Sequence, residues 1–221
     1  LVTLCSACYN VLKRTNHVLR EDIDKREKVF SFIEEDYSGE VEVLHLLEIL
    51  RDEIGFRSLN AKISSSFQGL PVAAYYGCLL LRPPEEVGID DPEAPRVLED
   101  FLLALGCRPV DYPYKTECCG SYVVLQPGGL TVSPSRLIVE SAKSGGAKAI
   151  VTSCPLCRFN LDYAQSGALE RGENTIPVMY FTEVLAIALG LGEGVLQFDG
   201  HLVPPGLIFQ SLGVGGYGGL T

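Results

Sequence analysis

No stretch of this sequence is long and apolar enough to span a membrane. The longest strongly apolar run, Val184 to Leu191, stops well short of the ~20 residues a spanning helix needs. Clustered positive charge is missing too: 18 basic residues stand against 28 acidic ones, for a net charge of −10. Lys13-Arg14 is an isolated pair and Lys25-Arg26 sits between acids, whereas a nucleic-acid-binding face concentrates Lys and Arg. The first residues show no basic segment leading into an apolar one, so no secretory signature is expected. Gly128-Gly129 and Gly145-Gly146 read as turn glycines, not as a phosphate-cradling loop. No Ser–His–Asp arrangement follows from the chain order either.

The 221 residues, 47% apolar and 21% charged, suit a folded core and exclude disorder, collagen-like repeats and a coiled coil. Against that ordinary background the eight cysteines stand out. Five form one frame: Cys78, the adjacent pair Cys118-Cys119 followed by Gly120, and Cys154-Pro155-Leu156-Cys157. Cys5 and Cys8 form a second C-x-x-C near the start. Cys107 stands alone and reads as a small buried hydrophobe. Disulfide scaffolds are usually shorter, secreted and loop-rich, so a cytoplasmic metal-binding protein is expected.

A structural zinc ion takes four ligands, commonly from two C-x-x-C pairs. Cys154 and Cys157 make one such pair, but the adjacent Cys118 and Cys119 chelate a single tetrahedral ion poorly. Adjacent thiolates suit a multinuclear site in which each reaches a different iron. Five thiolates also exceed what an ordinary four-iron cubane takes. Zinc stays as the alternative.

In chain order, Leu1 to Leu4 reads as the end of a strand that delivers Cys5 and Cys8 to the start of a helix. Thiolates are favoured there by free backbone N–H groups and the helix dipole. A second helical pattern holds Val29, Phe30 and Ile33, and Val41 to Leu44 is a short strand candidate. His45 to Ile54 has helical periodicity. Strands are then expected at Val72–Tyr76, Arg108–Asp111, Ala149–Thr152 and Ile176–Tyr180. They alternate with helices at Arg96–Leu105, Pro134–Ser144, Cys154–Glu170 (with Ser153 as N-cap) and Phe181–Leu189. This alternation predicts an α/β fold: a mainly parallel sheet with flanking helices, and the cysteine ligands on loops after strands. Ligands gather at the carboxyl ends of such strands. The Gly/Pro-rich tail, 201–221, is expected to dock on a partner.

The sequence around the cysteines carries a resemblance. Tyr75-Tyr76-Gly77-Cys78 with Leu81-Arg82-Pro83, Glu117-Cys118-Cys119-Gly120, Cys154-Pro155-Leu156-Cys157 with Leu161-Asp162, Leu4-Cys5-Ser6-Ala7-Cys8-Tyr9 and Val43-Leu44-His45-Leu46-Leu47-Glu48 resemble the cysteine-rich CCG domain found in the B subunit of heterodisulfide reductase. In that family two CCG repeats each hold a noncubane [4Fe-4S] cluster, and a disulfide is cleaved between the two. The resemblance implies that Cys78, Cys118, Cys119, Cys154 and Cys157 bind the second repeat's cluster. It makes Cys5 and Cys8 the closing C-x-x-C of a first repeat whose opening cysteine and CCG are absent here, an incomplete second site. The implied organisation is 1–68 for the remainder of the first repeat and a helical connection, 69–200 for the second CCG domain, and 201–221 for the tail.

The implied reaction is two-electron reduction of a disulfide (CoM-S-S-CoB or an analogue) with electrons from a ferredoxin-like iron–sulfur subunit and, beyond it, a flavin subunit. The iron–sulfur subunit of lactate or glycolate oxidation uses similar CCG motifs and is the runner-up. A zinc-stabilised, non-catalytic interaction module is the reading from a different class. Of the remaining polar residues, His45 reads as a packed core histidine and His17 as a solvated one. Lys115 and Arg82 lie near the candidate ligands and read either as balancing thiolate charge or as plain surface residues.

Overall fold

The computed structural model describes residues 1–121, 132–191, 196, 198–206 and 208. The Gly128-Gly129 turn and most of the 201–221 tail lie outside the described residues. The elements in order are β1 (Val2–Thr3), α1 (Ser6–Glu21), α2 (Ile23–Ile33), β2 (Leu44–His45), α3 (Leu46–Glu48, continued by π-helical turns over Ile49–Ile54) and α4 (Phe56–Asn60). There follow β3 (Pro71–Tyr75), α5 (Pro84–Val87), α6 (Val97–Ala104), β4 (Arg108–Pro109), α7 (Val132–Ser144) and β5 (Ala149–Thr152). The series closes with α8 (Pro155–Tyr163), α9 (Ser166–Glu170), β6 (Val178–Tyr180), α10 (Phe181–Ala188) and a 3-10 turn at Phe198–Gly200.

Two parallel sheets result. One pairs β1 with β2; the other has the order β4-β3-β5-β6. The two central strands of the larger sheet, β3 and β5, are almost wholly buried, as expected where helices cover both faces. Successive side chains point to opposite faces. Val72, Ala74 and Tyr76 join Leu98, Phe101 and Leu102 of α6 and Val184 and Ile187 of α10 in one core layer. Ala73, Tyr75, Ile150 and Val178 join Ile138, Val139 and Ala142 of α7 and Leu161 of α8 in the other. Cys119, Cys154 and Cys157 belong to the second layer. The mixed α/β fold with parallel sheets is therefore as expected. No helix among the described residues is long and apolar enough to cross a membrane.

Several local expectations are corrected. The Arg108–Asp111 strand shrinks to Arg108–Pro109, where pairing with Pro71 and Val72 ends. The helix from Cys154 to Glu170 is interrupted, because the buried Gln165 amide turns to bond the Ile176 backbone in both directions (3.0 and 2.9 Å). The N-cap of α8 is Cys154, not Ser153. Beyond Glu48 the expected α-helix widens into π turns that keep Leu50 inside; over six residues apolar spacing does not distinguish the two helix types. The strand expected at Val41–Leu44 lies at Leu44–His45.

The sheet order has a consequence for the site. From β3 the chain goes to one neighbour, β4, and then crosses back to the other, β5. The crevice beyond the carboxyl ends of β3 and β5 is a topological switch point, where open α/β sheets bind ligands.

Candidate metal centre

Cys78 lies three residues beyond the end of β3, and Cys154 two beyond β5, on either side of that crevice. Cys5 lies two beyond β1. Cys118 is nine residues from β4, so a short strand-to-cysteine step does not hold throughout. Cys118 and Cys119 are brought back by hydrogen bonds. Tyr76 and Gly77 donate their backbone N–H to Lys115 O (2.9 and 3.3 Å), Arg82 Nη1 donates to Thr116 O (3.2 Å), and the Tyr75 hydroxyl donates to Glu117 O (2.7 Å). Ser135 Oγ also donates to Cys119 O (2.8 Å).

Both C-x-x-C motifs have the same local form. The first cysteine is an extended N-cap and the second lies in the first helical turn. In α1 the backbone N–H of Cys8 donates to Cys5 Sγ at 3.4 Å. The two helix starts are joined at the backbone. Ser6 donates both its N–H and its hydroxyl to Ser153 O (3.0 Å each), and Tyr180 donates its hydroxyl to Leu4 O and to Ser153 O. This sets Cys5 against Cys154. From the same α1, Asn10 donates to Leu79 O and Arg82 O (2.8 and 2.7 Å), gripping the turn that follows Cys78.

The sulfurs form a connected series. Cys5 meets Cys154, Cys154 meets Cys157, and the Cys119 and Cys157 sulfurs are 3.4 Å apart. Cys78 meets Cys118. Cys119, Cys154 and Cys157 are buried, Cys5 and Cys78 half-buried, Cys8 and Cys118 exposed, and all are free thiols. Gly77 makes the approach feasible: a Cβ there would stand 3.2 Å from Cys157 Sγ, and its φ of +65° is one that residues with side chains rarely adopt. Gly120 has φ +95°, and its N–H turns back to Cys118 Sγ at 3.4 Å.

Charge is distributed unevenly over these thiols. Hydrogen bonds from Cys157 and then Cys5 pull the Cys154 thiol down to about 3, with the N–H groups of Cys157 and Leu156 adding to the effect. A bond from Cys157 holds Cys119 at about 7, helped by Ser121 and Asn160. Cys157, which gives those bonds to Cys119 and Cys154, is pushed far up. Cys5 is pushed up by Cys154, and burial followed by the nearness of Cys118 raises Cys78 to about 12.

Among the described residues, no group of three or more His, Cys, Asp or Glu is arranged to hold a metal ion. The thiols meet in pairs. Soft sulfur donors in that arrangement fit a polynuclear iron–sulfur group, in which neighbouring thiolates reach different irons.

The other candidates divide. His45 is fully buried. Its Nδ1 accepts the Leu47 N–H at 3.2 Å, and its backbone N–H donates to Glu48 Oε2 at 2.6 Å, so it caps α3 as a core histidine. His17 is exposed and Cys107 is buried, its thiol raised to about 12 by that burial. Neither Lys115 nor Arg82 is free for thiolate charge: Lys115 bonds Glu99 (2.9 Å) and Arg82 bonds Glu93 (2.9 Å). His201 bonds Glu183 at 3.0 Å. Sequence reasoning missed Asn160, Tyr180, Tyr75 and Ser135, which hold the cysteine segments. Asn160 alone had a signal, being one helical turn beyond Cys157.

A family model described as a cysteine-rich domain, CCG, matches residues 72–162. The B subunit of the ferredoxin/F(420)H(2)-dependent CoB-CoM heterodisulfide reductase of Methanosarcina acetivorans is 30% identical over 210 residues, which cover 92% of this chain and 70% of that protein. The 8-methylmenaquinol:fumarate reductase membrane anchor subunit of Wolinella succinogenes is 29% identical over 208 residues, covering 92% and 72%. An Archaeoglobus profundus protein that is itself described as like the heterodisulfide reductase B subunit is 29% identical over 205 residues, covering 86% and 67%. Among solved structures, a hypothetical protein from Helicobacter pylori shares the fold, with a TM-score of 0.56 and 13% identity over 86% of this chain. The chain spans about a third of that protein's length, 35%.

Proposed function

The chain belongs to the family of cysteine-rich CCG proteins typified by the B subunit of heterodisulfide reductase, and from that premise we propose that it is an iron–sulfur subunit of a disulfide-reducing complex. Cys78, Cys118, Cys119, Cys154 and Cys157 hold a noncubane [4Fe-4S] cluster, the first three from the segments after β3 and β4 and the last two from the start of α8. The observation that supports this most directly is the succession of sulfurs from Cys154 through Cys157 to Cys119 at the switch-point crevice. When bound, the cluster supplies electrons and iron with affinity for sulfur.

The chain's own residues do the rest. Gly77 lets the backbone come close to Cys157. Tyr75, Ser135 and Asn160 hold the Cys118-Cys119 segment. The exposed Cys118 marks the side open to substrate. Reduction takes two electrons and two protons per disulfide and yields two thiols. The electrons come from a ferredoxin-like iron–sulfur subunit and, beyond it, a flavin subunit. Cys5 and Cys8 belong to a second site against the first. A cytoplasmic setting, which keeps thiols reduced, suits eight free cysteines.

The test is iron, zinc and acid-labile sulfide per chain on anaerobically purified protein, followed by disulfide reduction with a chemical electron donor. About four irons with matching sulfide and turnover of CoM-S-S-CoB or an analogue is the expected result. About one zinc without sulfide sinks the cluster reading. Iron and sulfide without turnover of any disulfide moves the chain to electron transfer alone.

A further inference from the structure

The Cys119 sulfur has a partner that the cysteine pattern does not announce. Asn160, 2% exposed, sits on α8 beyond Cys157. Its Nδ2 lies 3.3 Å from Cys119 Sγ, 3.5 Å from Cys119 O and 3.0 Å from Ser121 O. Its Oδ1 is equally buried and has no hydrogen-bond partner among the described residues. Leaving a buried amide oxygen unpaired is costly, so packing does not account for an asparagine here; what its nitrogen does accounts for it. The nitrogen reaches both the sulfur and the backbone of the CCG segment, while Ser135 of α7 donates to the same Cys119 carbonyl at 2.8 Å.

Resting on the cluster reading above, we propose that Asn160 is a positioning residue that fixes the Cys119 sulfur and, through its N–H···S hydrogen bond, raises the reduction potential of the bound iron–sulfur group. Negative charge on the ligand sulfurs grows on reduction. A donor aimed at one of them therefore stabilises the reduced state more than the oxidised state, and hydrogen bonding to sulfur is one of the settings of such potentials.

The experiment compares anaerobically reconstituted wild type with Asn160→Asp. It measures iron and sulfide per chain, and the midpoint potential by redox titration followed by electron paramagnetic resonance. Aspartate keeps the size of the side chain and removes both N–H donors. Equal iron with a more negative midpoint is the expected result. Iron lost from a folded N160D also supports the assignment, as loss of the hold on Cys119. Equal iron with an unchanged midpoint overturns it and leaves the cluster reading standing. Wild type without iron and sulfide overturns the cluster reading, and this assignment with it. If circular dichroism shows N160D unfolded, Asn160→Ser, which keeps a polar group but withdraws it from the sulfur, decides by the same midpoint.

Discussion

Two copies of one local unit lie side by side in this chain. In the first, β1 leads to Cys5-x-x-Cys8 on α1, and its partner β2 ends at His45, which caps α3 with Glu48. In the second, β5 leads to Cys154-x-x-Cys157 on α8, and its partner β6 ends at Tyr180, which caps α10 with Glu183. The registers correspond, Thr3 opposite His45 and Thr152 opposite Tyr180. Even the two rings approach the same carbonyls, those of Leu4 and Ser153.

The surroundings differ. Cys154 and Cys157 are buried with Cys119, Asn160 and Gly77 about them, whereas Cys5 is half-buried and Cys8 exposed. Helix α1 leaves Val11 62% exposed, while α8 buries Leu161 completely. The consequence is chemical: the N-cap thiol is pulled down in the second unit, to about 3, and pushed up in the first. A C-x-x-C at a helix start sets the direction of two sulfurs. Neighbours from elsewhere in the chain decide which of them carries charge.

The strongest way to break the comparison is to remove one thiol from each unit. Cys157→Ser is expected to lose nearly all bound iron, and Cys8→Ser to keep it, read as iron and sulfide per chain. Equal loss from both would join the two units into one site.

A second effect separates the two capping rings. Burial holds His45 at about 4, below its ordinary 6.5, while Tyr180 stays neutral throughout this range. Between those values the unfolded chain binds a proton that the folded chain does not, so stability falls as pH drops from 6.5 towards 4. The loss is at most about 3 kcal/mol. Urea unfolding at pH 7.5 and pH 5 is expected to show it in wild type. His45→Asn, which retains a capping side chain, is expected to have a flatter profile.

Gly77 sharpens the contrast in packing. Gly77→Ala meets both a left-handed backbone and the Cys157 sulfur, whereas Gly146→Ala, at φ +89° with nothing within 4 Å, meets only the backbone cost of about 1–2 kcal/mol. The thermal midpoint of G77A is expected to fall further than that of G146A. The smallest effect is that of Tyr180→Phe, which removes the hydroxyl bond to the Leu4 carbonyl and one of three bonds to the Ser153 carbonyl, the two from Ser6 remaining. It is expected to lower stability by about 1 kcal/mol, measured as the urea midpoint, and to loosen Cys5 from Cys154 without loss of iron.

Much of this was legible in the chain order. The buried strands Val72–Tyr75 and Ala149–Thr152 are short apolar runs bounded by turn residues, and the sheet they build follows from alternation with helices. The helix starts near Cys5 and Cys154 could be read because capping is local, the second to within one residue, with Ser153 expected as the cap where Cys154 stands. Gln165's turn towards Ile176 was not legible, nor was the π widening after Glu48. The first depends on a partner eleven residues away, and the second on a spacing too short to resolve.

The sequence by itself determined the parallel α/β class, the two C-x-x-C helix starts and the family, because each is written in residues a few positions apart. Only the tertiary structure decided that Cys5 lies against Cys154, that Cys118-Cys119 returns to the crevice far from its own strand, and that Asn160 reaches the Cys119 sulfur. These contacts join residues up to 149 positions apart, as Cys5 and Cys154 are. No spacing rule covers that separation. Backbone hydrogen bonds from Tyr76, Gly77 and Ser6, and hydroxyls from Tyr75 and Tyr180, hold these contacts closed.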